Sequence, residues 1–89
     1  MIEKTVTVTN RAGIHARPAA LIVQSIKNYT SNIYIGKGSD KINAKSIMGI
    51  ITLGAGYGTE LKIIAEGEDE KAAVNTVISL FKSNFEEEG

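Results

Sequence analysis

The run IEKTVTVTNRAGIHARPAALIVQSI, residues 2–26, changes its hydrophobic period once, and that change decides the architecture. From Ile2 to Thr9 the residues alternate, with Ile2, Val6 and Val8 on one side and Glu3, Thr5, Thr7 and Thr9 on the other. This is the pattern of a strand with one buried face. Asn10 to Ile14 hold Ala12-Gly13 and no period, which predicts a loop. Ala19, Ile22, Val23 and Ile26 then recur at the spacing of a helical apolar stripe. Pro18 suits the first turn of that helix, where its missing N–H loses no partner. A strand, a loop and a helix therefore follow one another, with His15 at the helix mouth.

Outward from this run the same two periods alternate. Ile33 and Ile35 precede the turn formers Gly36-Lys37-Gly38-Ser39-Asp40, and a short run around Ile42 and Ala44 completes a predicted hairpin. Ser46 stands before Ile47-Met48-Gly49-Ile50-Ile51-Thr52-Leu53, which Gly54, Gly56 and Gly58 close. That reads as one or two helical turns with a serine N-cap. A helix so short cannot bury every apolar residue, so some of Ile47, Met48 and Ile51 should stay exposed to a partner. Leu61, Ile63 and Ala65 alternate with Glu60, Lys62 and Glu66 in a further strand that Gly67 ends. Val74, Val77, Ile78 and Phe81 recur at helical spacing, with Asp69 and Glu70 near the positive end of that helix. The order β-α-β-β-α-β-α predicts an α+β two-layer sandwich, a four-stranded antiparallel sheet with three helices on one face.

Bulk properties narrow the function. Eighty-nine residues suit a single domain over 1–89, and 43% hydrophobic with 22% charged residues is the balance of a folded chain. The sequence has no cysteine, which excludes disulfides, thiolate metal sites and thiol chemistry. No apolar stretch has the length of a signal peptide or membrane span, so a cytoplasmic protein is expected. Ten basic and ten acidic residues cancel, and only three tyrosines and two phenylalanines are present, which argues against nucleic-acid binding. Both arginines, Arg11 and Arg17, flank His15, while Glu86, Glu87 and Glu88 gather in an expected solvated tail.

Gly13-Ile14-His15-Ala16-Arg17-Pro18 combines a nucleophilic ring, a permanent cation and a helix N-terminus. A neutral imidazole nitrogen can attack phosphorus, and the resulting nitrogen–phosphorus bond is labile enough for onward transfer. The backbone N–H groups of Ala16 and Arg17 can receive the phosphoryl oxygens at the positive helix end. The Arg17 guanidinium can orient two of those oxygens together. A lone histidine near a helix start is usually a surface residue, so the inference depends on the combination. The loop Gly54-Ala55-Gly56-Tyr57-Gly58 lacks the lysine and hydroxyl of a nucleotide loop and is read as a turn.

Ala12-Gly13-Ile14-His15-Ala16-Arg17-Pro18-Ala19 and Lys45-Ser46-Ile47-Met48-Gly49-Ile50-Ile51-Thr52-Leu53-Gly54 resemble the two motifs of the HPr family, the histidine-containing phosphocarriers of the bacterial sugar phosphotransferase system. The resemblance spans essentially the whole chain. It implies an open-faced β-sandwich and a monomeric carrier, without cofactor or metal and not itself an enzyme. It further implies that enzyme I phosphorylates His15 on Nδ1 and that sugar-specific A components of the permeases take the group. Arg17 would swing onto the phosphoryl group, and Ile47, Met48 and Ile51 would form the docking surface. Ser46 would be the site of the ATP-dependent HPr kinase/phosphorylase, the phosphorylated form then meeting the catabolite control protein, a transcription factor. Tyr57 stands where many relatives carry lysine or glutamine, and Ala12 and Ala16 where others carry serine or threonine.

Two rival readings follow from the same residues. A coactivator of the same fold that carries no phosphate lacks the active histidine, which this chain retains. An acylphosphatase-like hydrolase has a comparable size and element order, but the His-Ala-Arg-Pro segment at a helix mouth argues against it.

Overall fold

The computed structural model describes residues 1–87, the side chains of Glu86 and Glu87 excepted. Among the described residues the alternating segments form β1 (Ile2–Thr7), β2 (Asn32–Lys37), β3 (Asp40–Asn43) and β4 (Glu60–Glu66). The helical-period segments form α1 (Ala16–Ile26), α2 (Ile47–Thr52) and α3 (Glu70–Lys82), and a single turn, α4 (Asn84–Glu87), follows them. The four strands make one antiparallel sheet in the order β1-β4-β2-β3. Register explains why one face is apolar: Val6 lies opposite Leu61, Ile35 opposite Ile63 and Ile33 opposite Ala65. Because side chains alternate across a strand, these residues converge on one side. There they meet Ile22 and Ile26 of α1, Ile50 of α2 and Val74 and Val77 of α3, all buried. The other face presents Glu3, Thr5, Thr7, Lys62 and Glu66 to solvent. The fold is the expected α+β open-faced sandwich.

Local chemistry sets the connections. The hairpin between β2 and β3 turns on two residues, Gly38-Ser39, with Gly38 in the left-handed region at φ 60°. Lys4 belongs by alternation to the inward side of β1 yet remains exposed at the sheet edge, where a charge discourages pairing with another chain.

The chain end departs from the sequence-based order. Asn84 and Phe85 adopt φ values of 52° and 57°, which turn the backbone off the axis of α3 and fold it back. Phe85 becomes fully buried, edge-on to Phe81 with centroids 5.0 Å apart, and the Thr9 hydroxyl donates to Asn84 Oδ1. Burial of a large aromatic offsets the cost of two left-handed non-glycine residues. The expected solvated tail of Glu86, Glu87 and Glu88 concerns side chains outside the described residues.

At the opposite end of α3, the Asp69 carboxylate reaches the loop between α1 and β2. It accepts from the Thr30 and Ser31 N–H groups, both at 2.9 Å, and from the Ser31 hydroxyl. Those bonds, the Ser31 hydroxyl first, hold Asp69 at about 2, below the ordinary 3.8. Glu70 is also held below its ordinary value, chiefly by the Gly67 N–H. A carboxyl acidified on folding stabilises the native state above its unfolded pKa and loses that contribution as pH falls through the folded value. The urea midpoint should therefore drop as pH falls from 3.8 towards about 2. Asp69→Asn should flatten that acid limb and lower the midpoint at neutral pH, as urea unfolding followed by circular dichroism would register.

Candidate functional site at the mouth of the first helix

His15 is the N-cap of α1, with extended backbone at φ −104° and ψ −162°, and its ring does not cap its own helix. The first intrahelical bond runs from the Ala19 N–H to the His15 carbonyl at 3.0 Å. The N–H groups of Ala16 and Arg17 precede it and point out of the positive helix end. His15 is half-buried, and Ala16 and Arg17 are exposed. The structure thus brings these three predicted residues together around one open helix terminus, while Pro18 and Ala19 are buried beneath them.

The strand-to-helix loop that presents His15 is fastened from behind. Asn10, only 3% exposed, donates from Nδ2 to the Gly13 carbonyl at 2.7 Å, and the Gly13 N–H returns to the Asn10 carbonyl at 3.1 Å. Next along the chain, the Ile14 N–H donates to the Ala55 carbonyl at 2.9 Å. Gly13 sits at φ 76°, and a Cβ built there would lie 2.8 Å from the Ala55 oxygen and 3.0 Å from Gly56 Cα. Only glycine satisfies both the left-handed backbone and the close approach. Val8 and Thr59 extend the seam: the Val8 N–H donates to Thr59 and the Gly58 N–H to Val8, both at 2.8 Å. Above it the Arg11 guanidinium lies over the Tyr57 ring, 5.3 Å from the centroid.

Helix α2 runs into this seam from the other side. Ser46 is its N-cap, the hydroxyl oxygen accepting from the Gly49 N–H at 3.0 Å. A Cβ on Gly49 would press within 3.3 Å of that oxygen, so glycine keeps the cap close. At the far end Lys37 Nζ donates to the Leu53 carbonyl at 2.9 Å. Ile50 anchors α2 in the core, Ile51 is half-buried, and Ile47 and Met48 are 41% and 69% exposed. Ser46 and the loop behind His15 stand at opposite ends of α2, roughly 9 Å of helix apart. Residues 4–39 and 41–59 contain no aspartate or glutamate, so α1, α2 and the loops around them carry no acidic side chain.

Sequence reasoning missed Asn10, Lys37 and Ala55 as members of this assembly, and it did not pair Arg11 with Tyr57. Their local signals are ordinary loop and strand residues. Among the described residues no group of three or more histidines, cysteines or carboxylates could hold a metal, and no helix is long and apolar enough to cross a membrane.

An exposed-edged α+β sandwich that presents one imidazole at a helix mouth is the layout of a small carrier domain. Residues 2–83 match the family described as the PTS HPr component phosphorylation site, and the chain belongs to that family, the HPr phosphocarriers of the phosphotransferase system. It is 51% identical to the phosphocarrier protein HPr of Treponema pallidum (strain Nichols), over 99% of this chain and 100% of that one. It is 45% identical to the HPr-like protein Crh of Halalkalibacterium halodurans, over 92% and 98% respectively. A crystal structure of HPr-C-His from Thermoanaerobacter tengcongensis, 46% identical, superposes over 100% of both chains with a TM-score of 0.94.

The Gly13 contact yields a direct test. Gly13→Ala should cost about 1–3 kcal/mol of stability, the usual range for a residue forced into a sparsely populated backbone region. Amide shifts of Ala55 and Gly56 in an NMR spectrum should move with it, while those of β3 should not.

Proposed function

We propose that this chain accepts a phosphoryl group on His15 from phosphorylated enzyme I and passes it to the sugar-specific A components of the permeases. The observation that carries the reading is the half-exposed imidazole at the N-cap of α1, beside the Ala16 and Arg17 N–H groups. In the transfer, the lone pair of His15 Nδ1 forms a bond to phosphorus while the bond from phosphorus to the donor atom breaks and its electron pair returns to the donor. The phosphoryl oxygens keep their charge throughout. Backbone donors at a helix N-terminus and the Arg17 guanidinium hold that charge without having to reorganise. Onward transfer is the same step in reverse, with the A component as acceptor. On this reading the chain works as a single cytoplasmic unit over 1–89, a monomer with no resident cofactor, and is a transfer intermediate and not an enzyme. Ile47, Met48 and Ile51 form the docking face; the exposure of Ile47 and Met48 on a stretch of chain without acidic residues supports that role.

Incubation with enzyme I and labelled phosphoenolpyruvate should give a label that is acid-labile and base-stable. His15→Ala should abolish it, and a label retained by that variant would sink the proposal.

Ser46 is proposed as the regulatory site of the HPr kinase/phosphorylase, with the catabolite control protein as reader of the phosphorylated form. Its place as the cap of α2, next to exposed Ile47 and Met48, supports this. A phosphate there would add about two negative charges at a helix end that favours anions, so the fold should tolerate it. The same charge would repel an acidic docking partner. Ser46→Asp should therefore keep the melting temperature while slowing phosphoryl transfer from enzyme I, the more so at low salt. Ser46→Ala should lose about 1 kcal/mol of stability and keep normal transfer.

A further inference from the structure

We infer that Arg11 and Tyr57 form a stacked anchor that engages carboxylates on enzyme I beside His15 and so tunes which donor the carrier accepts. The inference rests on the phosphocarrier reading of His15 and deepens it. Arg11 lies four positions before His15 in the same loop, and Tyr57 lies two after Ala55, whose carbonyl takes the Ile14 N–H. The pair therefore straddles the seam that backs the imidazole. Both loops are held by backbone bonds, which gives the pair a stiff base.

Tyr57 is 61% exposed, flanked by Gly56 and Gly58, whose lack of side chains leaves little to shield the ring. Arg11 covers one side of it at 5.3 Å. A cation–π contact uses none of the guanidinium's five N–H donors as a hydrogen bond, so Arg11 keeps the fork that matches a carboxylate. Residues 4–39 and 41–59 hold no carboxylate, so neither of the two loops supplies an anion of its own to these donors, and a partner's carboxylate can. Tyrosine and arginine are also the residue types that most often dominate binding energy at the centre of an interface. Pre-stacked, Arg11 meets the partner with fewer conformations left to lose than a free arginine.

The test measures phosphoryl transfer from enzyme I with the concentration of this protein varied, at low and moderate salt. Tyr57→Ala and Arg11→Gln should each raise KM about two- to five-fold, the size of an exposed cation–π contact, and leave kcat unchanged. The double variant should be no worse than the poorer single one, because the two residues act as one unit. Tyr57→Phe, which keeps the ring, should keep the native KM, and Arg11→Gln should flatten the salt dependence. Unchanged KM in the single variants, or multiplicative losses in the double variant, would overturn the anchor. A changed kcat or a changed hydrolysis rate of phosphohistidine would overturn it too, by putting Arg11 on the phosphoryl group instead of on the partner. His15→Ala, run alongside, tests the carrier reading separately: transfer abolished there with KM unmoved in the anchor variants rejects the anchor alone.

Discussion

The close approach of Gly13 to the Ala55 carbonyl governs the rest of the site. Were the two loops a Cβ further apart, the Ile14 N–H would lose its acceptor and a buried donor would go unpaired, at a cost comparable to the whole bond. With the approach in place, the loop has one geometry and His15 leaves it as the N-cap of α1. The backbone that carries the imidazole is thus fixed by the Gly13, Ile14 and Ala19 N–H bonds. The glycine is also where two distant halves of the sequence meet, in line with the Val8–Thr59 and Gly58–Val8 bonds that carry the β1–β4 pairing onward.

The sheet and its helical cover divide the labour. Ile33, Ile35, Leu61 and Ile63 bury one face of the sheet and hold α1, α2 and α3 in place. The chemistry then occupies only helix ends and loops above that platform, where a group can be reached without opening the core. Ser46 and His15 share the same layer but sit at separate termini, one at the start of α2 and one at the start of α1. A change at either helix end alters the local field within about a turn and leaves the other end's hydrogen bonds in place.

Much of this was legible in the residues. The switch of period across Asn10 to Ile14 marked strand, loop and helix; the cluster Gly36 to Asp40 marked the hairpin, though only Gly38 and Ser39 lie between its strands; Ser46 marked the start of α2. Each is a local signal that needs only neighbouring side chains to read. What stayed hidden depends on distant partners. Phe85 drew no reading from the sequence because the return of the chain requires left-handed residues, which asparagine tolerates and phenylalanine does not advertise. Asn10 resembles any loop asparagine until its amide is seen to close on Gly13, and Asp69 resembles a helix-start carboxylate until its bonds are found on Thr30 and Ser31.

The reach of Lys37 from β2 to the last carbonyls of α2 has one more implication. A positive amine beside the negative end of a helix is worth more in a medium that screens it less. If a second protein docks on α2 as proposed and drives water from that side, the tie between hairpin and helix tightens. The surface it meets would then grow firmer under load, and the loop leading on to Ala55 would inherit that firmness.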